Sequence, residues 1–351
     1  MKNSNDNYYD RAFTHIYVEK ELASGTQAKD IMKHFPNAKI ILIDHYKDVF
    51  NRSGQNFHEQ KKVRNLILAN KKGKLVYPGA QVCQSFGNQH FYYTSSVMNC
   101  IYDCEYCYLQ GMYPSANLVV FLNLEDMFDE VRELLKQHPV YLCVSYDTDL
   151  MALESILSYG KRWAEFAKEN EKLTIEIRTK CASLKAWEDI MPSKQVIYAF
   201  TLSPEEVSKA YEKRTPSLRQ RLTCIKTLME RDYQVRLCFD PMLYISDYKK
   251  IYGAFFDEVK KEIALNQVYD VSIGVFRVSE DYLKKMRKQN PKSAVLQFPY
   301  ENENGVYQYQ RELTNEMLNF AMDALKESIP EEKIFSWEEE KGKESNGKKR
   351  K

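Results

Sequence analysis

The sequence predicts an α/β fold built on a parallel sheet, and three observations carry that expectation. From residue 89 onward, six apolar, β-branched segments alternate with amphipathic helical ones, the pattern of strands joined by helical crossovers. The chain, 351 residues long, has room for one large domain with a smaller one beside it. Apolar residues make up 44% and charged residues 28%, ordinary proportions for a globular protein, and no run approaches the ~20 apolar residues of a membrane helix.

The elements follow in order. Residues 1–88 read as a small N-terminal α/β domain: a strand at "HIYVEK" (15–20), a helix near 27–34 and a strand at "KIILID" (39–44). The main series opens with a strand at 89–96 and a helix at 123–137. Strands at 139–147, 173–180, 195–202, 233–241 and 268–278 continue it, with helices expected at 150–169, 183–190, 204–231 and 247–264. A doubly wound sheet and a whole or partial barrel both satisfy this alternation, and both gather ligands at the C-terminal ends of the strands. Asn304-Gly305, flanked by alternating aromatics at 294–310, signals a β-hairpin, and a helix follows at 311–327. The second domain therefore runs from 89 to 335, and the charge-rich tail 336–351 is expected to be disordered.

Composition narrows the function. "MKNSNDNYYD" lacks the apolar core of a secretory signal, so the cytoplasm is the expected address. Eight cysteines in a chain without export point to reduced thiols, hence metal, cluster or buried side chains. A net charge of +2 sets up no global basic field. Two local runs, 58–74 and 282–292, gather lysines and arginines, which by default are solvated helix faces.

The chemistry concentrates in "SSVMNCIYDCEYCYLQG" (95–111), where Cys100, Cys104 and Cys107 are spaced C-x3-C-x2-C directly after the first strand of the series. Three thiolates on a tight loop hold three corners of a [4Fe–4S] cluster and leave one iron open for a small molecule. A structural zinc site would need a fourth ligand; His90 is the nearest candidate, and no second C-x2-C exists.

That triplet, opening a βα series, resembles the radical S-adenosylmethionine (SAM) superfamily. "CEYCYLQ" resembles one family within it, the spore photoproduct lyases. The likeness continues through 51–65, "ANLVVFLNLEDM" (116–127), "IEIRTK" (175–180), "FTLSPE" (200–205), "VRLCFDPM" (235–242) and "GVYQYQRELTNEM" (305–317). The resemblance implies a partial (β/α)6 barrel with a small N-terminal domain and a C-terminal hairpin that wedges into DNA. It implies repair of 5-thyminyl-5,6-dihydrothymine: a 5′-deoxyadenosyl radical takes hydrogen from C6 of the lesion, the methylene bridge breaks, and a thiol returns hydrogen to the thymine allyl radical. Tyr106 and Tyr108 match the family's radical-relay and SAM-contact positions, and Thr148, Asp149, Lys180 and Thr201 its SAM contacts. In the hairpin, Tyr307, Gln308 and Tyr309 fall where lesion DNA is met, with Gln308 in place of the family's usual arginine. The implied partners are double-stranded DNA bearing the lesion and an electron donor such as flavodoxin or ferredoxin. No membrane partner is expected, and the implied state is a monomer in the spore core.

One departure stands out. Family members carry the hydrogen-donor cysteine in a motif like S-C-T-S-D after the second strand. The matching stretch here is "SYDTD" (145–149), with Tyr146 in the cysteine's place. Cys143, Cys224 and Cys238 fall inside apolar strands or a helix and read as core filler. Cys83, in a loop ahead of the first strand, is the favoured donor, and Cys181, at the end of the third strand, is the second choice. A changed substrate, or a non-catalytic Fe–S protein that binds DNA, are the alternatives.

Overall fold

The computed structural model describes residues 13–79 and 83–336; of the tail expected to be disordered over 336–351, Ser336 ends a strand and the rest lies outside the described residues. Seven parallel strands form the backbone of an eight-stranded sheet: Phe91–Thr94, Val140–Cys143, Leu173–Thr179, Val196–Thr201, Gln234–Met242, Asp270–Val275 and Ile334–Ser336. They lie side by side in chain order, without the reversal that defines a doubly wound sheet. Val76–Pro78 pairs antiparallel with the first of them, and the sheet's edge strands, Val76–Pro78 and Ile334–Ser336, do not pair with one another. The series is an open, partial barrel. Its strands read as continuous apolar runs because both faces are covered; all six residues of Val196–Thr201 are buried.

A second sheet is ordered Lys39–Ile43, His15–Glu19, Leu66–Ala69, Leu118–Phe121 and Val97–Met98, parallel except for the last pair. The sheet begun by the N-terminal strands thus runs past residue 88 into the segment after the cysteine loop. Leu118, Val119, Val120 and Phe121 are at most 1% exposed, and so short a buried strand carries no alternation to betray it.

Three expected elements are shaped differently. The helix expected over 150–169 is interrupted: Ser158 takes φ +52°, and Tyr159–Lys168 is a separate helix. The stretch 204–231 splits into Glu205–Tyr211 and Leu218–Glu230 around a bridge of Glu212–Lys213 to Asp103–Cys104. The hairpin is shorter than 294–310: Ala294–Gln297 is helical, and the paired strands are Glu301–Glu303 and Val306–Gln308, with Arg277–Ser279 alongside. Asn304 (φ +53°) and Gly305 (φ +83°) make the left-handed turn that an Asn-Gly pair favours.

Candidate active site

The cysteine loop leaves the C-terminal end of the first parallel strand and is held from several sides. Asn99, itself at φ +68°, donates to the carbonyls of Ser115 (2.8 Å) and Asn117 (2.7 Å). Arg64 donates to the Cys100 carbonyl at 2.6 Å, and Gln110 to that of Cys104 at 2.7 Å. Lys61 pairs with Asp103. The short helix Leu109–Met112 closes the loop against Glu280–Gln289. That approach needs Gly111, because a Cβ there would sit 2.5 Å from the Tyr282 backbone.

These contacts change the reading of the first basic run. Lys61 and Arg64 are buried, and Lys71 lies within 6 Å of the Tyr77 and Phe121 rings. Burial lowers the pKa of Lys71 against the pull of Asp147 and Glu130. Three cations expected on a solvated helix face instead brace the cysteine loop and the sheet beneath it. In the second run, Arg287 also turns inward, donating to the carbonyls of Leu296 and Phe298 at 2.7 Å. Lys284, Lys285, Lys288 and Lys292 remain exposed.

Cys104 is buried and Cys100 and Cys107 are half-buried. Desolvation pushes the Cys100 thiol up to about 12 and raises Cys104 and Cys107 as well, so binding a cationic group would release protons. Among the described residues no three His, Cys, Asp or Glu side chains gather closely enough to hold a single metal ion. Three thiols on one loop, with no fourth donor among the described residues, fit a cluster with an open corner better than a closed tetrahedral ion site.

Beside the loop, Lys180 reaches to 5.8 Å from the Tyr106 ring. Tyr106 donates its hydroxyl to Glu212, a buried carboxylate that also takes Arg221 (2.5 Å) and Ser203 (3.0 Å). Burial works against the charge on Glu212, but Lys180 and Arg221 outweigh it and hold the carboxyl down at about 2. Nothing in "AYEKRTP" signals this role for Glu212. Asp149 accepts from the backbone N–H groups of Lys180 (2.5 Å) and Ala152 (3.0 Å) and from the Thr179 hydroxyl (2.7 Å). Its carboxylate therefore orients the end of the neighbouring strand, which sequence reasoning had not assigned to it. Thr148 is buried, and its hydroxyl oxygen has no hydrogen-bond partner within the described protein. Thr201 is buried at the end of the fourth parallel strand.

The thiol of Cys83 lies 3.5 Å from the phenolic oxygen of Tyr146. Tyr146 stacks on Tyr93, with ring centroids 4.1 Å apart, and leans on Tyr108 at 6.1 Å; the Tyr108 hydroxyl donates to the Tyr146 carbonyl at 2.6 Å. Cys83 is half-buried, whereas Cys181 is packed into the core at 5% exposure. Phe86, three residues on from Cys83, lies 3.3 Å from the Arg236 guanidinium, which pairs with Asp270 on the adjacent strand and with Glu176 two strands away. Cys143, Cys224 and Cys238 are all buried, as core filler should be.

The hairpin residues divide. Tyr307 is half-buried, with the Arg287 guanidinium 5.5 Å from its ring, and Gln308 donates to Glu303 at 2.6 Å. Tyr309, expected to meet DNA, is 1% exposed; its hydroxyl oxygen accepts from the Tyr244 backbone N–H at 2.8 Å, and its ring packs among Tyr244, Phe298 and Tyr300. It is a core residue because strand pairing ends at Gln308, so the period-2 alternation that would keep Tyr309 on the face of Tyr307 no longer applies. The hairpin's first strand carries exposed Glu301 and Glu303.

Three comparisons bear on this geometry. A family model described as spore photoproduct lyase matches residues 80–335. Over 253 residues the chain is 24% identical to the spore photoproduct lyase of Clostridium acetobutylicum, a match covering 68% of this chain and 71% of that one. Among solved structures, a spore photoproduct lyase carrying one Cys-to-Ala and one Ser-to-Cys substitution, with bound AdoMet and dinucleoside spore photoproduct, superposes with a TM-score of 0.79. That match is at 17% identity and covers 93% of this chain and 98% of the other. A spore photoproduct lyase complexed with dinucleoside spore photoproduct superposes with a TM-score of 0.77 at 16% identity and the same coverage. At such identities these two structures establish a shared fold.

Proposed function

The chain belongs to the spore photoproduct lyase family, and we propose that it reverses 5-thyminyl-5,6-dihydrothymine in DNA to two thymines, with a relocated hydrogen donor. The observation that carries this reading is the 3.5 Å contact between Cys83 and Tyr146. Tyr146 holds the place of the family's donor cysteine, and a thiol reaches that place from another segment of the chain.

Cys100, Cys104 and Cys107 would hold a [4Fe–4S] cluster, with SAM at its open corner. When bound, these groups would supply the carbon radical chemistry that removes hydrogen from C6 of the lesion. The unpartnered Thr148 hydroxyl, the Lys180 ammonium and Thr201 sit at strand ends beside the cysteine loop, donors and acceptors suited to a zwitterionic sulfonium. Asp149 acts on that site through the Lys180 backbone N–H and the Thr179 hydroxyl that it orients. Cys83 gives its hydrogen atom to the thymine allyl radical, and Tyr106 and Tyr108 relay the radical onward. Tyr307 and Gln308 face the lesion strand and the exposed lysines of 284–292 its phosphates, contacts that position rather than read sequence. The remaining partner is a one-electron carrier protein of the flavodoxin or ferredoxin kind, acting on a monomer in the cytoplasm of the spore core.

A second reading, the same radical chemistry on another substrate, is favoured by the exposed carboxylates on the hairpin's first strand, since Glu301 and Glu303 repel phosphate. The test is anaerobic reconstitution with iron and sulfide, followed by SAM, dithionite and a synthetic dinucleotide lesion. Thymine dinucleotide in the products supports the first reading. Conversion of SAM to 5′-deoxyadenosine with the lesion intact supports the second. A protein that leaves SAM whole contradicts both and returns the non-catalytic Fe–S alternative.

A further inference from the structure

We propose that Tyr146 is a redox-active residue that restores the Cys83 thiol by giving it a hydrogen atom. The inference rests on the lyase reading, because it begins from the state that hydrogen donation leaves behind.

Once Cys83 has given hydrogen to a carbon radical, its sulfur is a thiyl radical. A second turnover requires that sulfur to regain a hydrogen atom. The Tyr146 hydroxyl lies in hydrogen-bond contact with it, at 3.5 Å. The step balances as a whole-atom exchange: the Tyr146 O–H bond breaks, the Cys83 S–H bond forms, and the unpaired electron remains on the Tyr146 phenoxyl. No outside oxidant or reductant enters, and thiol S–H and phenol O–H bonds are close enough in strength for the exchange to run either way.

The surroundings suit a ring that carries an unpaired electron. Tyr93 stacks on Tyr146 at 4.1 Å and Tyr108 leans on it at 6.1 Å, so two further phenols flank it. The Tyr108 hydroxyl is bonded to the Tyr146 carbonyl, which fixes the two residues relative to one another. Burial raises both the Cys83 thiol and the Tyr146 phenol, so each carries its hydrogen at neutral pH and the transferred unit is a neutral atom. A cysteine directly at position 146 would need no such intermediary. The tyrosine joins a displaced thiol to the aromatic cluster beside the cysteine loop.

The experiment compares wild type with Tyr146→Phe, which keeps the ring and loses only the hydroxyl. Anaerobic holoenzyme with SAM is mixed with the dinucleotide lesion, freeze-quenched for electron paramagnetic resonance, and followed in parallel over many turnovers. The relay predicts a tyrosyl signal in wild type that sharpens when the protein is grown on ring-deuterated tyrosine. It predicts that Tyr146→Phe lacks this signal and stops after its first equivalent of thymine dinucleotide. A Tyr146→Phe enzyme that keeps the signal and turns over repeatedly overturns the relay alone. A variant that fails already in its first turnover assigns Tyr146 to positioning Cys83, which also overturns the relay. A wild type that cleaves SAM but leaves the lesion intact overturns the lyase reading, and the relay with it.

Discussion

Cys83 and Tyr146 are 63 residues apart in the chain and 3.5 Å apart in the fold. Three residues after Cys83, Phe86 packs on the Arg236 guanidinium. The Cys83–Tyr146 contact predicts a division between the two candidate donors. Cys83→Ala should still consume the lesion while diverting the allyl radical into by-products, read as a lower chromatographic yield of thymine dinucleotide per lesion lost. Cys181→Ala should leave that yield unchanged and lower stability by about 1–2 kcal/mol, since it trims a side chain packed in the core.

Gly111 predicts a steric effect on cluster assembly. Any side chain there meets the Tyr282 backbone, so Gly111→Ala should cost roughly 1–3 kcal/mol through overpacking. The short helix behind Cys107 should be displaced, and iron and sulfide bound per chain after reconstitution should fall. Wild-type iron content with an unchanged melting temperature would remove this role.

The two basic runs should separate in a salt titration of duplex binding. Exposed Lys285 and Lys288, replaced together by Gln, should reduce the slope of log K against log salt by roughly 2. Lys61→Met should leave the slope unchanged. Its pair with Asp103 is largely buried, with side-chain exposures of 10% and 22%, so its loss should appear as lower stability, on the order of 2–4 kcal/mol.

Glu154 predicts a pH dependence of stability. It is buried and accepts the N–H groups of Gly160 (2.6 Å) and Lys161 (2.9 Å), yet desolvation outweighs them and raises its pKa to about 7. A pKa raised by folding means the native state binds the proton more tightly. The contribution is complete below the unfolded value of about 4.5 and is lost as pH rises through about 7. Glu154→Gln, which cannot ionise, should gain on wild type by about 2–3 kcal/mol between pH 4.5 and 8, read from denaturant midpoints at each pH. A constant difference between the two proteins would exclude the effect.

Much of this was legible in the chain, for identifiable reasons. Strands such as 196–201 announce themselves because burial on both faces demands unbroken apolar runs. The Asn304-Gly305 turn is legible because few other pairs take two left-handed residues in succession. The cysteine triplet is legible because a cluster imposes its own spacing. What stayed hidden depends on long-range packing. Lys61, Arg64 and Lys71 look like a solvated basic run until the fold turns them under the cysteine loop. Glu212 is one carboxylate among many until Tyr106 and Arg221 close on it. Tyr309 alternates in sequence with Tyr307 like a second exposed aromatic, but the strand leaves the hairpin there and its ring enters the core. The Cys83–Tyr146 contact joins segments with no local pattern in common, so sequence could rank Cys83 but could not set it against Tyr146.

The most direct test returns the thiol to the family's position. The double variant Cys83→Ala/Tyr146→Cys is assayed beside Cys83→Ala and wild type for thymine dinucleotide formed per lesion consumed. A relocated donor predicts clean repair by wild type, by-products from Cys83→Ala, and clean repair regained in the double variant. Clean repair by Cys83→Ala alone would show that hydrogen comes from elsewhere and would contradict the account.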